Sequence, residues 1–75
     1  MKALIVKDPW ATDIVSGYKF HEFRSRPTKI RGTIGIIKAG SGTVIGEVDI
    51  YECLRGVRSH YIWGLKNPKK YKTPK

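Results

Sequence analysis

The stretch Asp8–Arg26, DPWATDIVSGYKFHEFRSR, constrains the fold more than any other part of the chain. It contains a helix start and a helix stop with room for only about two turns between them. Asp8 can cap a helix with its carboxylate, and Pro9 can occupy the first helical position, where its missing N–H costs nothing. Gly17 supplies the left-handed stop. Between them Trp10, Ala11, Ile14 and Val15 share one face at helical spacing. A helix to about Ser16 is therefore predicted, with Trp10 on its core side or rim. The rest of the chain lacks this period, so the core must come from strands laid around one short helix.

Strand-like segments flank it. Ala3–Val6 is a short apolar run with β-branched Ile5 and Val6, suited to a buried strand. After Gly17 the period changes to two, which puts Phe20, Glu22 and Arg24 on one face of a strand and His21 on the other. Ser25–Gly32 reads as a loop around Pro27. Thr33–Lys38 is an Ile-rich strand, and Gly40-Ser41-Gly42 turns the chain without the Gly-Lys-Ser/Thr ending of a nucleotide cradle. Thr43–Leu54 then alternates, with Val44, Val48, Ile50 and Leu54 on one side and Glu47, Asp49 and Tyr51 on the other. Gly46 interrupts the apolar face and predicts a bend or the close approach of another backbone. Arg55–Ser59 is a loop, and His60–Leu65 a strand with Tyr61, Trp63 and Leu65 on one face.

This pattern predicts an α+β, mainly β fold: a small, strongly bent barrel or α+β sheet with one short N-terminal helix. Residues 1–75 make one domain, with 66–75 a basic tail punctuated by prolines. Such a short chain buries only about 60% of the surface its unfolded form exposes. Large side chains must fill the small core, and Phe20, Phe23 and Trp63 are the candidates. The single Cys53 excludes an internal disulfide, and with two histidines it offers no zinc spacing, so a reduced, cytoplasmic setting with no metal and no cofactor is expected.

Charge narrows the choice of partner. Lys and Arg number 15 against 6 Asp and Glu, a net +9, and no acidic residue follows Glu52. A one-signed field of this kind favours polyanions. A membrane is the weaker option, because no apolar run approaches the roughly 18 residues that span a bilayer and the N-terminus lacks a signal-peptide core. The blander alternative is that the excess keeps a small domain soluble.

Gly17, Lys19, Glu22 and Arg24 form G-x-K-x-x-E-x-R just after the Pro-Trp of the short helix. This spacing resembles the signature of the ASCH family, a branch of the PUA-like β-barrels linked to RNA. The resemblance extends over Lys2–Trp10, Gly46–Asp49 and Tyr61–Pro68. It implies a PUA-like barrel whose cleft is lined by the motif. Members of the family usually continue past the Asn-Pro segment with a further strand that closes the barrel. The chain stops at Lys75, so a missing closing strand is expected, with the open edge covered by a homodimer or by the Tyr71-containing tail.

The chemistry of the motif has two readings. On a surface strand Glu22 with Lys19 or Arg24 is an ion pair contributing at most about 1 kcal/mol. At a barrel mouth the same groups line a desolvated pocket, with Lys19 swung toward Glu22 by a turn or bulge. The ligand or RNA site expected from this reading comprises Lys19, Glu22, Arg24, Arg26, Trp10, Lys69 and Lys70. Its partner is RNA or a nucleotide-like ligand, with an acidic protein as a third possibility. The alternative is a small hydrolase using Lys19 and Glu22 as catalytic residues. Proteins similar to this chain include amidohydrolases acting on acetylcytidine and a ribonuclease. In the amidohydrolases a catalytic Thr stands where this chain has Glu22, so only Lys19 carries over. A ribonuclease would need a base beside its cations, such as Glu22 or the pair His21 and His60.

Overall fold

The computed structural model describes residues 2–74; Lys75, the end of the expected tail, lies outside them. In chain order the elements are β1 (Ala3–Val6), α1 (Trp10–Val15), β2 (His21–Arg24), β3 (Gly32–Lys38), β4 (Thr43–Arg55) and β5 (Tyr61–Lys70). One sheet contains all five strands in the order β1-β3-β4-β5-β2. Only the β1–β3 pair is parallel. The sheet curls into a half-barrel around α1, leaving β1 and β2 as its edges.

The helix forms where the sequence places it, one residue later at its start. The Asp8 carboxylate accepts from the Thr12 N–H at 3.1 Å and the Thr12 hydroxyl at 2.8 Å, and it pairs with Lys38 at 3.2 Å. Those hydrogen bonds, then the Lys38 charge, hold its pKa below the ordinary carboxylate value. At the other end Gly17 adopts φ +87°, and the N–H groups of Tyr18 and Lys19 both donate to the Asp13 carbonyl. Ala11, Ile14 and Val15 are buried against Val6, Ile34, Ile36, Val48, Ile50, Trp63 and Leu65. Burying Ile14 or Val15 contributes about 1.5–3 kcal/mol each.

Two irregularities in the β4–β5 ladder change what alternation predicts. Ile50 pairs with Leu65 and Glu52 with Gly64, so Tyr51 is an extra residue that reverses the parity beyond it. Leu54, expected inside, is therefore 51% exposed, while Cys53 packs against the core. Further along, Glu47 pairs with Lys69 and Asp49 with Lys66, leaving Asn67 and Pro68 opposite Val48 alone. Pro68 is thus accommodated at a bulge, where no ladder N–H is required. This corrects the tail: Lys66–Lys70 is strand, and the Tyr71 N–H continues the pairing by donating to the Ile45 carbonyl. Gly46 permits that approach. A Cβ there would fall on the Lys69 carbonyl oxygen and 2.6 Å from Val15 Cγ1.

The core is more aliphatic than expected. Trp63 is buried, its indole N–H donating to the Arg26 carbonyl at 3.1 Å, but Phe20 and Phe23 are 60% and 58% exposed. Phe23 points away from the inward face of edge strand β2, which carries Glu22, and Phe20 lies before that strand begins. Ile14, Ile36, Ile50 and Val48 fill the space instead.

Candidate functional site

On β2 the usual burial pattern is reversed. Glu22, the only buried charged residue among those described, is 7% exposed, while Phe23 beside it points outward. A carboxylate in that position costs several kcal/mol unless cations and hydrogen bonds compensate it. Arg24 lies two residues along the same face, and its Nε donates to Glu22 Oε2 at 2.8 Å. Lys19 approaches from the other side, with Nζ 3.8 Å from Glu22 Oε1. The two cations and one carboxylate form a net positive nest.

Each cation is anchored by more than Glu22. Lys19 follows the helix stop, its backbone held to Asp13, and its ammonium donates to the His21 carbonyl and lies 5.1 Å from the centre of the Phe23 ring. The turn after Gly17 therefore does what opposite parity alone forbids: it brings Lys19 to Glu22. Arg24 spans the opening of the half-barrel. Its Nη2 donates to the Ile5 carbonyl of β1 at 3.0 Å, linking the two edge strands through a side chain where no strand joins them.

The gap that Arg24 bridges is a cleft of about 610 Å³. Lys19, Glu22 and Arg24 line it together with Trp10, Phe23, Lys7, Ala39 and the β1 residues Ile5 and Val6. Trp10, 51% exposed, stands on its rim as the helical face predicts. Four of the expected site residues thus meet: Trp10, Lys19, Glu22 and Arg24. Arg26, Lys69 and Lys70 do not line it. Arg26 is exposed on the loop after β2, and Lys69 and Lys70 pair with Glu47 and Gly46 at the far end of β5.

Lys7 and Ile5 were not apparent from the sequence, because their place in the cleft depends on β1 and β2 meeting as the two edges of a curled sheet. The only local hint was a lysine beside the Asp-Pro that starts the helix. His21 pairs with Gly64 and His60 precedes β5, which separates them by roughly 13 Å along the strand. They do not form a joint acid-base pair. Among the described residues no group of three or more His, Cys, Asp or Glu could hold a metal ion, and no helix is long and apolar enough to cross a membrane.

Comparison with known proteins agrees with this architecture. Two crystal structures of ZmASCH from Zymomonas mobilis, one of a tyrosine-to-phenylalanine mutant and one of a serine-to-alanine mutant, superpose with TM-scores of 0.82 and 0.81. Both are 20% identical to the chain and cover 97% of it, with 73% and 71% of their own lengths matched, a likeness of fold. No curated protein matches the chain. The family model of the ASCH domain matches residues 4–74, and the chain belongs to the ASCH domain family.

Proposed function

We propose that the protein binds single-stranded RNA, or a nucleotide-like ligand derived from it, in the cleft between β1 and β2. The observation that carries this reading is the reversed strand. β2 buries Glu22 and uses its inward face to fix Lys19 and Arg24, which a strand serving only the core has no reason to do. With Lys7 the cleft holds three cations against one carboxylate, beside the apolar walls of Trp10, Phe23 and Ile5. A ligand matched to it is anionic at one point and flat or apolar at another, as a phosphate with its base is.

The test is binding of a mixed-sequence single-stranded RNA across a salt series. Log affinity should fall with log salt by about 0.7 per phosphate contacted, and Lys19→Ala should lower affinity about tenfold or more. Lys19→Arg should keep much of the affinity, since a fixed cation is what binding requires. A salt-independent affinity, or no binding at low salt, would reject the RNA reading. The same preparations distinguish an enzyme. Turnover of RNA or acetylcytidine by the wild type that is lost in both Lys19→Arg and Glu22→Gln would replace the binding module with a hydrolase, because Arg cannot release a proton near neutrality and Gln cannot act as a base.

A further inference from the structure

We propose a second ligand site across Lys19 from the cleft: a pocket that takes a nucleobase of the nucleotide adjoining the one held in the cleft. The inference rests on the RNA reading and extends it from one nucleotide to two. A pocket of about 520 Å³ is lined by Phe20, Tyr51, Leu65, Pro68, Lys66 and, again, Lys19. Lys19 is thus a shared wall of both cavities, where a phosphate joining two nucleotides would lie.

The lining suits a base. Phe20 is 60% and Tyr51 42% exposed, so each leaves aromatic surface that a stacked base would cover. Lys66 Nζ lies 5.4 Å from the centre of the Tyr51 ring, and no carboxylate lines the pocket. A mainly apolar slot with two lysines in its lining matches a planar group carried on a phosphate chain.

The backbone is irregular where it builds this pocket. Both bulges of the β4–β5 ladder contribute: Tyr51 is the extra residue of one, and Pro68 belongs to the other. A bulge re-aims a side chain at the expense of a ladder bond, and such bulges gather beside functional sites. Opposite the Tyr51–Glu52 bulge stands Gly64, where a Cβ would come within 2.6 Å of Glu52 Cγ and 2.9 Å of Tyr51 Cζ, so the glycine makes room for both side chains. Asn67, in the left-handed region at φ 52°, is held by donating to Asp49 Oδ2 at 3.0 Å, which fixes the turn into Pro68.

The experiment compares cytidine 5′-monophosphate with the dinucleotide CpC and with a short oligocytidine, by calorimetry on the whole chain. The dinucleotide is expected to bind at least about tenfold more tightly than the mononucleotide. Tyr51→Ala should weaken the dinucleotide by roughly 5- to 100-fold, the range for loss of one stacked base, while Tyr51→Phe retains it. In the wild type, NMR shifts at Leu65 and Tyr51 should follow dinucleotide but not mononucleotide addition, a readout that needs no variant. Equal affinity for the two ligands, or a dinucleotide affinity unmoved by both Tyr51→Ala and Phe20→Ala while Lys19→Ala lowers it, would overturn the second site and leave the cleft standing. Failure of every ribonucleotide to bind would reject the cleft reading and this one with it.

Discussion

The chain carries two basic regions, and they are built differently. In the cleft, Lys19 and Arg24 are half-buried, each fixed by a carboxylate and a backbone carbonyl. Along the far end of β5, just past the Asn67–Pro68 bulge, Lys69 and Lys70 are exposed side chains, and no ion pair among the described residues involves them. The nearby carboxylates are engaged otherwise: Glu47 accepts from the Tyr71 hydroxyl at 2.8 Å, and Asp49 accepts from Thr33 and Asn67. Charge alone does not separate the two regions. Burial does, because only a desolvated cation has a fixed direction and a strong short-range field.

The largest expected effect that sharpens this contrast is on stability. Arg24→Ala removes the 2.8 Å partner of buried Glu22 and the only side-chain link described between β1 and β2, leaving Lys19 at 3.8 Å as the remaining cation. A loss of about 3 kcal/mol is expected, near the lower end for breaking a buried pair because Arg24 remains partly exposed. Lys70→Ala should stay within about 0.5 kcal/mol. Urea denaturation of the two variants measures both, and equal losses would erase the distinction between a built site and a solvated strand.

A somewhat smaller effect comes from the other region. Gly46→Ala places a methyl group on the Lys69 carbonyl and against the Val15 side chain, and the backbone carbonyl cannot yield as the end of a flexible side chain could. Destabilisation of about 2 kcal/mol is expected, as for overpacking in a core. Hydrogen exchange should accelerate at Lys69–Tyr71, with β2 less affected. Uniform acceleration would show that the end of β5 and the cleft open as one unit.

These contrasts also explain what is legible in the sequence. Local chemistry read well: the helix between Asp8 and Gly17, the shared face of Glu22 and Arg24, and the close approach at Gly46 each depend on neighbouring residues. Features that need two distant segments did not. Lys7 joins the cleft only because the sheet curls, and Leu54 turns outward only because Tyr51 is an extra residue opposite a glycine. Pro68 disguised the second half of β5 as a tail, since a proline ordinarily argues against a strand and nothing local announces the bulge that admits it. Phe20 and Phe23 misled for a related reason. Aromatic residues in a small barrel suggest core, but Phe20 lies before this edge strand and Phe23 points outward from it, while the inward position goes to Glu22.

The smallest effect concerns pH, and it arises along the second half of β5. Hydrogen bonding to Glu47, then desolvation and the Glu47 charge, raise the Tyr71 pKa above its ordinary value of 10.0. A hydroxyl whose pKa is higher in the folded chain holds its proton more tightly there, so its contribution to stability is complete below the unfolded value and is lost as pH rises through the folded one. Asp49 has the opposite sign. Hydrogen bonds from Asn67 and Thr33, then the Lys66 charge, lower its pKa below 3.8, so its contribution is present above that value and is lost as pH falls through the folded pKa. Both groups pin the second half of β5 to β4, through Tyr71 on Glu47 and through Asn67 on Asp49. Melting temperature should therefore decline modestly on both sides of a neutral plateau. Tyr71→Phe should flatten the alkaline limb and Asp49→Asn the acid limb, each by roughly a degree or two because these groups are screened by solvent. If Tyr71→Phe leaves the alkaline limb unchanged, the hydroxyl does not hold this end of the strand, and the β4–β5 ladder and the fit at Gly46 suffice to keep it in place.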